Sequence, residues 1–221
     1  MNNFGSFTNA FLLVFAGLFP IVNPVGNAPI FLRLTQGAAD ERKGLARAVS
    51  INGFFLLLGS LFIGSHVLEF FGITLPIVRI AGGMVVAAFG WNLLHSDDEK
   101  SQAQRSASDN APGEPIDAFY PLTMPLTVGP GSISVAVTLG SQRPTGTIDV
   151  AYLATVGGGA VAGLAAVAAT IYVSYAFAEP IVRRLGERGT TIVMRLSAFI
   201  LFCLGIQIIW NGYNSLMIIP A

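Results

Sequence analysis

The sequence predicts an all-α membrane protein of six transmembrane helices, set as two inverted three-helix repeats, with helices one and four broken near the bilayer midplane. Three observations carry that prediction. The chain has 12 Lys+Arg and 12 Asp+Glu in 221 residues, 11% charged, less than half the roughly 25% usual in soluble domains. Hydrophobic residues make up 53% of it, more than one soluble core of this length could hide, so lipid must be the solvent for much of the surface. Finally, the basic residues fall on alternate loops. The formal net charge of zero gives no reason to expect nucleic acid or an acidic partner.

A bilayer core of about 30 Å takes about 20 residues of helix. Six apolar segments qualify, roughly 8–33, 46–67, 73–94, 118–141, 149–177 and 192–213. The opening MNNFGSFTNAF has no Lys or Arg to serve as the n-region of a signal peptide, so the first segment is expected to remain in the mature protein. Segments one and four carry Pro and Gly near their middles, whereas the other four read as continuous. In segment five, Gly157, Gly158, Gly159 and Gly163 form a small-residue face suited to close packing against a helix of the same chain or of a second copy in a homo-oligomer. Residues 97–117, DDEKSQAQRSASDNAPGEPID, read as a polar linker between a first repeat, 1–96, and a second, 118–221.

Basic loops stay on the cytoplasmic side. Loop one carries Arg33, Arg42, Lys43 and Arg47, loop three Lys100 and Arg105, and loop five Arg183, Arg184 and Arg188 with Arg195 adjoining; loops two and four offer Arg79 and Arg143. Ten against two puts the linker 97–117 in the cytoplasm and both termini outside, periplasmic in a bacterial inner membrane. Three spans per half, an odd number, make any internal repeat inverted. FPIVNPVGNAPIF and MPLTVGPGSISVA hint at that repeat, as do Arg79 and Arg195 near the start of segments three and six and the pairs Trp91-Asn92 and Trp210-Asn211 near their ends.

At Asn23-Pro24-Val25-Gly26 a continuous helix is unfavourable, because Pro24 has no N–H and clashes with the preceding turn. The same residues suit a helix start, with Asn23 as cap and Pro24 as first helical residue. Segment four repeats the pattern with Gly129 as cap, Pro130 at the first helical position and Ser132 able to bond a freed backbone group. Unpaired backbone cannot face lipid, so both breaks belong inside the bundle. Two positive helix ends converging there would suit a carboxylate, and the carbonyl ends of the preceding half-helices an ammonium or a metal cation. A zwitterion satisfies both. The solute contacts expected are Asn23, Gly26, Asn27, Gly129, Gly131 and Ser132, with Pro24 and Pro130 shaping the breaks.

NPVGNAPIFLRLT, FGITLPIVRIAGGMVV and PLTMPLTVGPGSI, within a likeness running from about Phe7 to Tyr213, resemble the MarC family of six-span bacterial inner-membrane proteins, also called the neutral amino-acid transporter family. Many members have Ala where Val128 stands. The resemblance implies an inner-membrane protein and, for some members, transport of small neutral amino acids.

Every Asp and Glu falls outside the segments or at their margins, Glu69 and Glu179 being nearest. That removes the intramembrane carboxylate a proton-coupled carrier often uses and the pair an aspartyl protease needs. Any sodium coupling would fall to carbonyls at the breaks with Asn23, Asn27, Thr127 or Ser132. Arg79 and Arg195 are candidate gates, though snorkelling to the headgroups is the ordinary role of such residues. Asn52, Asn92 and Gln207 are expected to bond between helices, and Cys203 to fill space. His66 and His95 have no metal-ligand spacing, so neither a metal nor a cofactor is called for. These readings lead to a secondary transporter or exporter of a small, amino-acid-like solute. An intramembrane enzyme would need a base near Ser132 or Ser134, which the spans do not supply; a structural or regulatory subunit would bind a partner and carry no flux.

Overall fold

The computed structural model describes residues 3–95, 117–141 and 150–218. All regular structure there is helical. The helices are α1 (Asn3–Val22), α2 (Pro24–Leu34), α3 (Arg42–Phe70), α4 (Leu75–His95), the irregular α5 (Ala118–Thr127), α6 (Pro130–Ser141), α7 (Val150–Ala176) and α8 (Ala178–Ile218). Five helices are long and apolar enough to cross a membrane, or six spans if α5 and α6, bent by 69°, make one. The polar linker, apart from Asp117, lies outside the described residues, as do Lys100, Arg105 and Arg143.

Two stretches differ from the sequence prediction. The first half of span four is not a regular half-helix. Pro121 and Pro125 push the residues before them into extended backbone, Tyr120 at φ −123°, ψ 126° and Met124 at φ −119°, ψ 123°. Both X-Pro bonds are cis. The chain coils in wide turns, and two of its carbonyls are taken by threonines five residues on: Thr123 Oγ1 donates to Ala118 O and Thr127 Oγ1 to Leu122 O, both at 2.7 Å. Loop five is also helical. Ala178 starts α8 at once, and the bend comes at Gly186, whose φ of 67° and ψ of 176° suit a residue without Cβ. Between α3 and α4, Gly72 at φ 67° closes the end of α3, with Ile73 N–H donating to Leu68 O at 2.9 Å.

Packing divides the bundle into a core and a flanking pair. Leu18, Val22 and Phe31 of the first span, Val49 and Leu57 of α3, Leu122 and Val128 of the fourth span, and Leu164, Ile171 and Tyr175 of α7 form one buried cluster. α1 and α7 run parallel, with Gly159 against Phe7 and Ala10 and Gly163 against Phe11 and Val14. The GxxxG face thus packs within the chain, while Gly157 meets nothing. α3 and α6 run parallel, with Gly53 against Val128 just before α6, Gly64 meeting Val137 and Gly140 meeting Leu61. α4 and α8 form the flanking antiparallel pair, with Gly83 against Gly205 and Ile209, Gly90 against Ala198 and Phe202, and Gly212 against Pro76 and Ile80. α6 joins this pair through α4, and α2 through α8. Cys203 points outward from α8 and fills no interior space.

The chain junctions mark the two ends of the bundle. Arg42 Nη1 meets Glu179 Oε2 at 2.8 Å, bringing the start of α3 to the start of α8, and Arg42 Nε donates to Thr35 Oγ1 at 3.2 Å at the end of α2. At the opposite end, Arg79 Nη1 donates to Ser215 Oγ at 2.9 Å. At Gly90 a Cβ would stand 2.5 Å from the Phe202 nitrogen and 2.8 Å from Ala198 O. Overpacking of this kind costs about 1–3 kcal/mol, so Gly90→Val is expected to lower the melting temperature in detergent by several degrees. Gly59→Ala, whose Cβ meets nothing within 4 Å, is expected to leave it unchanged or higher, in the same thermal scan.

Candidate functional site

The first break is built from three successive residues. Asn23 takes a left-handed conformation, φ 46° and ψ 54°, which Asn tolerates better than most residues. Its Oδ1 accepts the Gly26 N–H at 3.3 Å, the cap the sequence predicts. A Cβ on Gly26 would collide with the Asn23 side chain. Gly26 therefore leaves room for the cap. α1 has already run 20 residues before this break, about 30 Å of helix. The residues beyond it reach Tyr175, near the C-terminal end of α7. The break thus stands nearer the Arg42–Glu179 end of the bundle than mid-height, where the sequence places it near the bilayer midplane. The second break lies against Gly53 and Ile171, in the same half.

One side chain ties the two breaks together. Asn27 Nδ2 donates to Val22 O, the last carbonyl of α1, and to Leu126 O, just before the second break, both at 3.0 Å. Asn27 is 2% exposed, and its Oδ1 has no hydrogen-bond partner among the described residues. Tyr175 closes the junction. Its ring stacks on Phe31 with centroids 4.3 Å apart, and its hydroxyl lies 2.8 Å from Thr127 Oγ1 and faces the Asn27 side chain. The single Thr127 proton goes to Leu122 O, so the Tyr175 hydroxyl donates into Thr127 and keeps its own lone pairs for the space beside Asn27. Thr123 works in the same way, donating to Ala118 O while accepting from Asn52 Nδ2 at 3.5 Å.

The other expected residues are placed differently. Ser132 Oγ donates to Gly129 O at 2.9 Å, the backbone role predicted for it, and makes no bond to the first break. Gly131 faces Val86 of α4, which a Cβ would strike, so it is a packing residue. Pro24 and Pro130 each open the helix that follows a break. Arg79 and Arg195 do not gather with the breaks. Arg79 is half-buried beside Gly212, Arg195 exposed 17 positions earlier on α8, about 25 Å of helix away. Of the amides expected to bond between helices, Asn52 does; Gln207 bonds Asn211 on its own helix at 3.0 Å, and Asn92 is exposed.

Sequence reasoning named Asn27 without its partner, mentioned Thr127 only as a sodium ligand and passed over Tyr175 and Thr123. The repeated Pro-Leu-Thr of YPLTMPLT was the available signal: a hydroxyl two residues after each proline reaches the carbonyl three residues before it.

A family model described as MarC family integral membrane protein matches residues 8–217. Among individual proteins, the chain is 31% identical over 205 residues to UPF0056 membrane protein YvbG of Bacillus subtilis (strain 168), covering 92% of this chain and 93% of that one. It is 32% identical over 202 residues to UPF0056 inner membrane protein MarC of Escherichia coli O157:H7, with 88% and 90% covered, and 30% identical over 203 residues to a UPF0056 membrane protein of Archaeoglobus fulgidus, with 91% of each covered. No solved structure matches.

Removing the Asn27 amide leaves two buried carbonyls without a donor, at about 1–3 kcal/mol for each unsatisfied group. Asn27→Ala should therefore unfold at lower denaturant than wild type. Asn27→Asp should be worse at neutral pH, since its carboxylate sets oxygen against oxygen. An Asp variant as stable as the Ala variant in chemical denaturation would contradict the assigned orientation of the amide.

Proposed function

We propose that this chain, which belongs to the MarC family of integral membrane proteins, is a secondary transporter or exporter that moves a small neutral amino acid or a similar zwitterion past the junction of its two broken spans. The observation that carries the reading is the Asn27 bridge. An amide NH2 stands between the carbonyls of Val22 and Leu126, where two helical segments end and a donor is wanted. A solute ammonium offers the same N–H geometry with a full positive charge, and charge-assisted bonds are roughly twice as strong as neutral ones. It therefore competes with Asn27 for these carbonyls. The displaced amide and the unpartnered Oδ1 beside the Tyr175 hydroxyl supply further polar contacts. The solute carboxylate is directed to the N-terminal ends of α2 and α6, where the helix dipole favours negative charge.

Displacing Asn27 also unties the breaks, so binding and movement of the half-helices are coupled through one bond pair. The inverted repeat belongs to this proposal. Its support is the packing: the first span lies on the fifth and the fourth on the second, the first approaches the sixth as the fourth approaches the third, and spans one with four, two with five and three with six also meet. The proposal sets both termini outside and the Arg42–Glu179 end in the cytoplasm. Arg33, Arg42, Lys43 and Arg47 precede or begin α3, and Arg183, Arg184 and Arg188 follow α7, so they share one end of the bundle. The membrane is the inner one, as the name of the Escherichia coli relative states for that protein.

Proteoliposomes offered a panel of labelled neutral amino acids, with and without proton and sodium gradients, test the function. Wild type is expected to take up at least one of them, and Asn27→Ala to lose about tenfold or more in initial rate while remaining inserted. Absence of flux for the whole panel in either direction would overturn the proposal, and a partner-dependent phenotype would favour a regulatory subunit. Gly26→Leu and Gly131→Leu do not serve here, because their side chains would strike Asn23 and Val86 and test folding instead.

A further inference from the structure

At the end of the bundle away from Arg42 and Glu179 lies a second polar place, in a cavity of about 430 Å³ between α4, α6 and α8. Its walls include Arg79, Thr138, Asn211, Asn214 and Ser215. Arg79 Nη1 is held by Ser215 Oγ, whose own proton goes to Asn211 O at 2.8 Å. A guanidinium has five N–H donors; Ser215 is the hydrogen-bond partner of this one, and no carboxylate pairs with it, among the described residues. Thr138 Oγ1 is buried without a hydrogen-bond partner. The cavity thus gathers a cation without a counter-ion among the described residues, a hydroxyl without a hydrogen-bond partner and two amides. The C-terminal end of α8 explains why a cation is welcome there. It leaves the Thr138 hydroxyl and the space itself unexplained.

We propose that this cavity binds an oxyanion, the carboxylate of a small solute or the phosphate of a lipid headgroup, with the Arg79 guanidinium as its charge partner and Thr138 and the amides as donors. Thr138 lies two turns beyond Pro130 on α6 and on the stripe that begins at Gly131 and Val135, so an anion held here sits about 12 Å along the helix from the second break. The binding claim stands apart from transport and is tested without flux.

The test uses Thr138→Cys, and Asn211→Cys as a second reporter, with Cys203, the outward-facing native cysteine, changed to Ser. In phosphatidylcholine vesicles each reporter is modified by an anionic sulfonatoethyl and a cationic trimethylammonioethyl methanethiosulfonate, with rates taken relative to a free thiol. The anionic reagent is expected to be favoured about tenfold, a preference abolished by Arg79→Gln and kept by Arg79→Lys. Slowing by millimolar sodium acetate in these vesicles identifies a soluble carboxylate as ligand; slowing only when phosphatidylglycerol is added identifies a headgroup. No charge preference, a preference indifferent to Arg79→Gln in a variant that melts like its parent, no slowing by either source, or no reaction at either reporter would overturn the site.

Discussion

In hydrocarbon a peptide carbonyl or N–H without a partner costs several kcal/mol, and this chain places prolines where they remove such partners. Pro24, Pro121, Pro125 and Pro130 all fall within spans one and four. Polar backbone near them is met locally: Asn23 Oδ1 takes the Gly26 N–H, and the hydroxyls of Thr123, Thr127 and Ser132 donate to the carbonyls of Ala118, Leu122 and Gly129. Two further carbonyls, Val22 and Leu126, are met by a single amide. The position of α2 against α5 follows from that geometry, since one nitrogen can serve two carbonyls only if the two chain ends approach each other.

The rest of the packing isolates this junction. Spans one, two, four and five surround it with a continuous apolar cluster, while α4 and α8 meet through glycines at nearly every turn of contact. Backbones that approach so closely interlock without large side chains, which is how small residues hold helices together in lipid. The flanking pair is therefore stiff in itself and joined to the core through α6 and α2, the helices that begin at the two breaks.

The apolar runs made the six spans legible, because hydropathy reports the solvent each residue meets and lipid admits few alternatives. Local chemistry was legible too: Asn23 caps and Ser132 bonds the backbone because both acts concern residues three apart. What escaped reading depends on which helix faces which. Gly131 read as a site residue, yet its open side is filled by Val86; the Asn27 partner lies 99 residues away. Tyr175 looked like one more aromatic near the end of a span. Loop five read as a loop because three arginines interrupt the apolar pattern, although only Gly186 interrupts the helix.

The junction is made of neutral groups: carbonyls, the Asn27 amide, and the hydroxyls of Thr127 and Tyr175. Among the described residues no carboxylate or cation belongs to it, and Arg79 is kept at the far end of α4. A buried ion without a counter-charge is strongly disfavoured, and a helix end offers only about half a charge. A solute with net charge would leave much of it uncompensated here, while an uncharged polar solute gains little at helix ends that water does not already give. A zwitterion brings both signs at once and needs only dipoles of opposite sense a few ångströms apart. Two helical segments that end and two that begin at the joined breaks provide that pair, so the choice of a zwitterion proposed above would follow from the same prolines that interrupt the spans.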